Sequence, residues 1–258
     1  MRRALVGELH AFVGAWPPRH RASTGWGVPL VGVASARDPL FLELKTVASP
    51  SHLCPADLLP DARSVIAFFL PFERSTGLSN ISGDMASAEW AEAYVETNEL
   101  IRAVCGHMKG WLEAAGHVAA VTPPTHDFDE VTLVSAWSHR HVAFVAGLGR
   151  FGLNNMLITE SGCCGRFGSF VTSLELEPDL RPEAEACLYR HDGSCHRCVT
   201  RCVGDALFTD RFDRHACYAQ CLQNERVHVA LGGADVCGKC LVAVPCAFVD
   251  PVARRLQR

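Results

Sequence analysis

The sequence predicts an α+β protein with a cysteine-rich C-terminal segment. Strand-like and helix-like stretches alternate up to about residue 180, whereas nine of the 13 cysteines lie between Cys187 and Cys246. The composition changes in LEPDLRPEAEA, residues 176–186, whose prolines and charges are typical of a surface connection. We therefore expect an α+β domain over residues 1–180 that binds cofactor or substrate, and a cysteine-rich module over residues 181–258.

The spacing of apolar residues predicts the first elements. VPLVGVAS (28–35) and SVIAFFLPF (64–72) are apolar, β-branched and aromatic runs of strand length. PADLLPDAR (55–63) between them predicts a loop or short helix. The clearest helix extends from Ser87 to about Gly116, because its large apolar residues recur at helical spacing. Its aromatic residues are interpreted as part of the core.

The later elements of the first domain are shorter. HVAAVTP (117–123) predicts a strand after the long helix. SHRHVAFVAG (138–147) predicts a second helix, and NNMLIT (154–159) and GSFVTSLELE (168–177) predict two further strands.

Composition and charge restrict the class of partner. The formal net charge of −4 gives no general attraction to nucleic acid or membrane phosphate. Glu8 and His10 interrupt the apolar stretch of the N-terminus, and no small-residue cleavage site follows, so no signal peptide is expected. No segment has the roughly 18 uncharged apolar residues of a membrane helix. We expect a cytoplasmic protein without membrane contact.

The cysteines of the C-terminal segment have the spacing of metal ligands. An odd number of cysteines in a cytoplasmic protein favours metal binding over disulfides. Cys195-x2-Cys198-x3-Cys202 is typical of the end of a bacterial iron–sulfur motif, although Val203 stands where proline is usual. Pairs of C-x-x-C can also form a structural zinc site. Iron–sulfur binding is favoured here because nine cysteines are enough for two sites of four thiolates each.

The segment AGLGRFG contains Gly147, Gly149 and Gly152 in the order G-x-G-x-x-G. This motif alone is typical of a dinucleotide-binding turn, which needs a strand before it and a long helix after it. Here LNNMLITESGCCG follows and predicts a short strand. We therefore expect the glycines to let the backbone approach a large flat ligand other than NAD or FAD.

AGLGRFGLNNMLIT and GCCGRFGSFVTSLELEPD, followed by the cysteine-rich segment, resemble the epoxyqueuosine reductase family. Members of this family depend on cobalamin and carry two 4Fe–4S clusters, and they are related more distantly to reductive dehalogenases. The resemblance extends from about His139 to Cys246 and is fainter over LLPDARSVIAFFLPF. It implies a nitroreductase-like mixed-sheet domain, a C-terminal ferredoxin-like two-cluster module, and a base-off corrinoid between them.

The resemblance also implies the binding residues. Cys187, Cys195, Cys198 and Cys246 would hold one cluster, and Cys202, Cys217, Cys237 and Cys240 the other. Cys221 is left over and is the alternative to Cys217. The implied cobalamin-binding residues are Gly147, Gly149, Arg150, Gly152, Asn154, Asn155, Arg166, Phe167, Gly168 and Ser169. The adjacent Cys163 and Cys164 are interpreted as packing residues.

Three departures from the family pattern change what we expect. The tRNA-acting members continue into a helical-repeat region, whereas this sequence stops twelve residues after Cys246. The last cysteine spacing is x5 instead of the common x3. The proton-donating aspartate of the family is also missing from the corresponding LVSAWSHRH. We therefore expect a small-molecule substrate or a corrinoid protein as partner, and not tRNA.

Another group must then supply protons. His139 and His141 immediately precede the glycine loop, and histidine exchanges protons near neutral pH. Arg140 between them can hold an anionic group, and Asp127 and Asp129 are further candidates. The alternative interpretation of these histidines is a solvated helix face.

Together these features predict an iron–sulfur oxidoreductase that depends on cobalamin. Single electrons from a donor such as ferredoxin or flavodoxin would pass through two 4Fe–4S clusters to a buried cobalamin for reductive chemistry. Two alternatives stay open. One is an electron-transfer protein that reduces the corrinoid of another protein, and the other is a zinc-stabilised binding module without catalysis.

Overall fold

A computed structural model describes residues 1–20 and 22–256, except for the side chain of Pro18. Residues 257 and 258 of the predicted module thus lie outside the described part. The helices are α1 (Arg2–His20), α2 (Leu40–Val47), α3 (Pro55–Leu58), α4 (Arg74–Ser79), α5 (Ala88–Ala114), α6 (His139–Val145), α7 (Leu188–Asp192), α8 (Arg197–Thr200), α9 (Arg214–Val227) and α10 (Pro251–Leu256). Short 3₁₀ helices cover Val229–Leu231 and Lys239–Leu241.

The strands are β1 (Leu30–Ser35), β2 (Ser64–Pro71), β3 (Ala119–Val121), β4 (Phe128–Asp129), β5 (Val134–Ser135), β6 (Arg150–Phe151), β7 (Leu157–Ile158) and β8 (Gly165–Thr172). The main sheet has the order β1-β2-β8-β3, and each neighbouring pair is antiparallel. The strands β4 and β5 form one hairpin, and β6 pairs with β7. Among the described helices, none is both long and apolar enough to span a bilayer.

The central strand β2 explains the arrangement of the first domain. All eight of its residues are buried, because helices cover both faces of the sheet. Ile66, Phe68 and Leu70 pack against α1 and α5 on one face. Val65, Ala67 and Phe69 pack against α2 and α6 on the other. Such double burial produces a continuous apolar run rather than an alternating one, as the sequence showed. The α+β class is therefore confirmed.

The predicted elements differ from the structure mainly at their ends. The strands and long helix predicted at 28–35, 64–72 and 87–116 are β1, β2 and α5, each within about two residues. The strand predicted for 168–177 is displaced, because β8 begins at Gly165 and ends at Thr172. NNMLIT contributes only the two residues of β7 to a strand.

The cysteine-rich segment packs against the loop between α4 and α5. Asn80 Nδ2 donates to the Cys237 carbonyl at 2.9 Å, and the Ala86 amide donates to Asn224 Oδ1 at 2.9 Å. The buried Lys239 ammonium donates to the carbonyls of Asn80 (3.1 Å) and Ser82 (2.8 Å). These bonds satisfy polar groups that would otherwise be buried without partners.

Replacing Gly149 and Gly110 by alanine, one at a time, compares a tightly packed glycine with an unhindered one. A methyl group at Gly149 would overlap the Ile158 carbonyl oxygen, whereas the same change at Gly110 in α5 meets no atom within 4 Å. We expect Gly149→Ala to lower the free energy of unfolding by about 2 kcal/mol. Gly110→Ala should raise it by about 1 kcal/mol, because alanine favours the helix. Chemical denaturation measures both, and equal effects would contradict the close approach at Gly149.

Candidate functional site

One group of four cysteines surrounds a small space at the edge of the cysteine-rich segment. Cys187 precedes α7, Cys195 precedes α8, Cys198 lies in α8, and Cys246 precedes α10. Cys187 and Cys198 are buried, and the other two are half-buried. Burial raises the pKa of Cys198 to about 12, and the nearby thiols of Cys246, Cys187 and Cys195 act in the same direction. This first cysteine group contains the four residues that the resemblance implies for one cluster.

The second cysteine group lines one end of a larger cavity. It comprises Cys202, Cys217, Cys221, Cys237 and Cys240. Burial raises the pKa of Cys240 well above its ordinary value, and the thiols of Cys237, Cys217 and Cys202 add to this effect. Cys221 lies beside Cys217, and a hydrogen bond between them lowers the pKa of Cys217 to about 7. Cys217 and Cys221 both line this end of the cavity, so the choice between them as the fourth ligand stays a prediction.

The thiols of the two groups do not converge on one point in this structure. Within residues 1–20 and 22–256, no three His, Cys, Asp or Glu side chains converge as ligands of a single metal ion. Such an ion holds its thiolates at about 2.3 Å, so the sulfur atoms around it crowd together. In the first cysteine group the four residues surround a space of about 20 Å³ that also borders on Leu153, Val244 and Pro251.

The central cavity has a volume of about 580 Å³ and lies between the sheet domain and the second cysteine group. Its size is typical of a small-molecule or cofactor site. The aromatic and apolar residues of the lining include Phe72, Trp90, Tyr94, Phe151 and Met156. The polar residues include Arg140, His141, Asn154, Asn155 and Arg166.

Three buried donors on the cavity lining have no hydrogen-bond partner within the described residues. They are Trp90 Nε1, Asn155 Nδ2 and Arg166 Nε. Buried polar atoms are normally paired, and an unpaired one points to a missing ligand or water. The cavity therefore fits a largely apolar ligand that carries hydrogen-bond acceptors at its edge.

The glycine loop lies outside the lining of the central cavity. Gly147 and Gly149 border a second cavity of about 720 Å³ near α1. Gly147 has φ +78° and faces the Leu180 carbonyl, and Gly149 faces the Ile158 carbonyl. These glycines allow contacts with the protein's own backbone. Gly152 likewise faces the protein itself, because it packs against the side chains of Asn154 and Ile158.

The other residues implied for cobalamin are dispersed. Asn154, Asn155 and Arg166 line the central cavity. Arg150 Nη2 instead donates to Glu185 at 3.1 Å, on the side of the second cavity. In β8, Phe167 borders a third, smaller cavity, Gly168 packs against Phe68, and Ser169 is fully buried.

The two histidines of α6 have different surroundings. His139 is buried, its Nε2 donates to the Pro123 carbonyl at 3.0 Å, and its Nδ1 is 2.7 Å from Ser169 Oγ. His139 therefore has both ring nitrogens engaged and does not border the central cavity. His141 does border it, with Nδ1 2.7 Å from Ser138 Oγ. Burial lowers the pKa of both, that of His141 to about 4, aided by the charge of Arg140.

Arg140 and the two aspartates complete the sequence-predicted set. Arg140 Nη1 donates to the Asn155 carbonyl at 2.7 Å, which holds the guanidinium in the wall of the central cavity. Asp129 is exposed and accepts hydrogen bonds from the amides of Val131 and Thr132, so it closes the β4–β5 turn. Asp127 is exposed at the third cavity, next to Pro123 and His139.

Sequence reasoning missed Tyr94, which it assigned to the apolar stripe of α5. Its hydroxyl donates to Asp235 Oδ1 at 2.8 Å and lies 3.2 Å from Thr125 Oγ1. The Arg166 guanidinium lies 4.2 Å above its ring, and burial raises its pKa. His126 Nε2 reaches the same Asp235 oxygen at 3.1 Å from the exposed side. A tyrosine within an apolar stripe needs a hydrogen-bond partner, and this was the available signal.

Comparisons with known proteins agree with the resemblance seen in the sequence. No protein-family model matches the chain. An epoxyqueuosine reductase of Lactococcus garvieae is 27% identical over 204 residues, which cover 72% of this chain and 53% of the relative. One from Synechocystis sp. is 27% identical over 175 residues, covering 64% of this chain and 53% of the relative. The chain thus spans about half the length of these curated relatives.

Solved structures share the fold. An epoxyqueuosine reductase superposes with a TM-score of 0.54 at 18% identity, covering 94% of this chain and 66% of that chain. An epoxyqueuosine reductase with a modified tRNA-Tyr stem loop gives 0.56 at 20% identity, with coverages of 86% and 57%. The catabolic reductive dehalogenase NpRdhA, in complex with 3-bromo-4-hydroxybenzoic acid, gives 0.57 at 18% identity, with coverages of 88% and 31%. The predicted resemblance is confirmed.

The depressed pKa of His141 predicts a pH dependence of stability. Its pKa is about 4 in the folded protein and 6.5 ordinarily, so between these values only the unfolded chain binds the proton. Wild-type protein should therefore lose stability relative to His141→Gln as the pH falls from 6.5 to 4. Chemical denaturation of both proteins measures the difference, in which acid effects common to both cancel. A difference that stays constant over this range would contradict the burial of a neutral imidazole.

Proposed function

We propose that the protein is an iron–sulfur oxidoreductase that uses a corrinoid for reductive chemistry. The observation that carries this proposal is the second cysteine group at the wall of a cavity with unpaired donors. The similarity in sequence to epoxyqueuosine reductases supports it. The fold shared with a reductive dehalogenase is consistent with it.

The two cysteine groups would each hold one 4Fe–4S cluster. The first would use Cys187, Cys195, Cys198 and Cys246, and the second Cys202, Cys217, Cys237 and Cys240. Cys198 lies in α8 and Cys202 follows the last residue of α8 by two positions, so the three residues between these cysteines connect the groups. Thiolates, burial and hydrogen bonds to sulfur determine the potentials of such clusters. The amide of Ala206, which donates to Cys202 Sγ at 3.3 Å, is one bond of this kind.

The central cavity would hold the corrinoid, which supplies a strongly reducing and nucleophilic cobalt when bound. Arg140, Asn155 and Arg166 line the cavity and would provide hydrogen-bond donors to acceptor groups at the edge of this ligand. The aromatic residues of the lining would exclude water from the faces of this ligand. We propose a nitroreductase-like domain over residues 1–180 and a ferredoxin-like module over residues 181–258 as the two walls.

Tyr94 is the residue that we propose as proton donor, in place of His139. Tyr94 lines the cavity, and so does Asp235, which accepts a hydrogen bond from the Tyr94 hydroxyl. Burial raises the pKa of Tyr94, so the phenol is protonated at neutral pH and would release its proton only to a strongly basic group formed on the substrate. His139 is unsuited because it is buried and does not border the central cavity. His141 borders the cavity but is neutral, and it would serve to position a polar group.

The substrate class includes tRNA, contrary to the expectation from the sequence. A structural neighbour of the same fold was solved with an epoxyqueuosine-modified tRNA stem loop, which argues against excluding it. A small halogenated aromatic compound, as in the dehalogenase complex, is the other class of substrate. We propose ferredoxin or flavodoxin as the one-electron donor.

Metal analysis tests the cluster assignment directly. Protein purified without oxygen should contain about eight iron and eight sulfide per chain. Cys198→Ala and Cys240→Ala should each lose about half of the iron, whereas Cys54→Ala, far from both groups, should lose none. Cys217→Ala and Cys221→Ala, compared in the same way, identify the fourth ligand. Bound zinc without sulfide would overturn the proposal and favour the structural-zinc alternative.

Tyr94→Phe tests the proton donor. The variant keeps the ring but removes the hydroxyl, so we expect kcat to fall by about 100-fold with full iron content. Turnover of an epoxyqueuosine-modified stem loop or a halogenated phenol, driven by a chemical reductant, provides the assay. Tyr189→Phe in α7 is the matched control and should be unaffected. Unchanged kcat in Tyr94→Phe would remove this residue from the mechanism.

A further inference from the structure

We propose that a basic surface over the first cysteine group docks a small acidic one-electron carrier protein. This basic surface consists of Arg190, His191, His196, Arg197, Arg254 and Arg255, all exposed. The proposal rests on the proposed function, because it makes the first cysteine group the entry point for electrons.

The positions of the two cysteine groups suggest that electrons would pass from the first group to the second. The second group lines the central cavity, where substrate chemistry would occur. The first group lies at the edge of the cysteine-rich segment, and its Cys195 is half-buried between the exposed Ser194 and His196. A ligand in the central cavity would cover the second group, so a carrier protein at the surface would reach the first group instead.

Three elements bring positive charge to this edge. The helix α7 starts directly after Cys187 and carries Arg190, and α8 starts with Arg197 between two cysteines of the group. The helix α10 is fixed to α7 by an ion pair between Arg255 and Asp192 at 2.5 Å. Arg254 precedes Arg255 in this helix, so it lies on an element that contacts α7.

This charge is largely unneutralised. Within the described residues, the side chains of Arg190, Arg197 and Arg254 have no acidic partner, unlike Arg255. Asp250 is close in sequence, but its carboxylate accepts from the amides of Val252 and Ala253 at the start of α10. The chain as a whole carries a formal net charge of −4, so this surface is a local exception.

An acidic carrier protein suits this surface better than a nucleic acid. Three unpaired arginines neutralise few phosphates, and nucleic-acid affinity depends on how many are neutralised. By contrast, a few complementary charges suffice to steer a carrier and accelerate a transient encounter. Such an encounter brings the carrier over the thiols through which its electron would enter. Nucleic acid would have to reach the central cavity, where the substrate reacts.

Charge reversal tests the surface in the cluster-loaded protein. The variants are Arg197→Glu, Arg254→Glu and the double variant, with Arg102→Glu, exposed on α5, as matched control. Stopped-flow bleaching of the cluster absorbance follows reduction by an acidic plant-type 2Fe–2S ferredoxin at low salt. We expect the double variant to be reduced about tenfold more slowly, and its rate to depend less on salt. Reduction by reduced methyl viologen, a small cation, should change by less than about twofold.

The outcomes separate this proposal from the function on which it rests. A double variant that ferredoxin reduces as fast as Arg102→Glu would overturn the docking surface alone. If Arg197→Glu loses iron, because it stands between two cysteines, Arg254→Glu decides: ferredoxin must reduce it at least about threefold more slowly. Loss of binding to a tRNA stem loop with unchanged reduction by ferredoxin would also overturn the proposal. A wild-type protein without iron and sulfide fails at the proposed function, before any variant is made.

Discussion

The buried ammonium group of Lys239 is the contact on which the candidate site depends. It donates to the carbonyls of Asn80 and Ser82, in the loop that precedes the long helix of the sheet domain. Lys239 itself stands between Cys237 and Cys240, so its position fixes two thiols of the second cysteine group. Asn80 strengthens the same joint through its bond to the Cys237 carbonyl. Without these hydrogen bonds the second cysteine group would not be held against the sheet domain, and the central cavity between them would not form.

The cost of burying this charge explains why Lys239 pairs with these particular carbonyl groups. An ammonium group taken out of water must find strong acceptors, and carbonyl groups of an irregular loop have lone pairs to offer. The loop in turn needs partners for those carbonyls, because it lies in the interface. The two segments are therefore complementary in hydrogen bonding as well as in shape. The same reasoning applies to Arg201, which donates to the carbonyls of Lys239 and Ile81.

Sequence reasoning succeeded where one physical requirement dominates a segment. Burial of β2 on both faces and the apolar stripe of α5 were visible as patterns in the sequence. The spacing of the cysteines indicated that they form groups of metal ligands. The hairpin β4–β5 and the helix α1 were not predicted, although Leu5, Leu9 and Val13 of α1 are buried at intervals of four residues. The strand β8 was displaced because its glycines, which admit Phe68 and Phe69 from β2, weaken the strand pattern.

The candidate site was harder to predict, because its residues meet only through the tertiary fold. His139 and His141 are two residues apart, yet a helix turns them to different sides, one toward the sheet and one toward the cavity. Tyr94 and Asp235 are 141 residues apart, so neither position alone reveals the pair. The glycine motif pointed to a ligand, whereas Gly149 is needed for contact with the Ile158 carbonyl. Close backbone approach has the same sequence signature in both cases.

The backbone around Cys246 has a consequence for how the protein is made. The amide of Cys163 donates to the Cys246 carbonyl at 2.9 Å, and that of Cys164 donates to the Ala247 carbonyl at 2.9 Å. The last thiol of the first cysteine group is thus held by a turn of the sheet domain, far earlier in the chain. During synthesis the ribosome must release the chain beyond Cys246 before this set of thiols can close. A cofactor held by all four thiols of this group would therefore be inserted only after the segment around Cys246 has met the sheet domain.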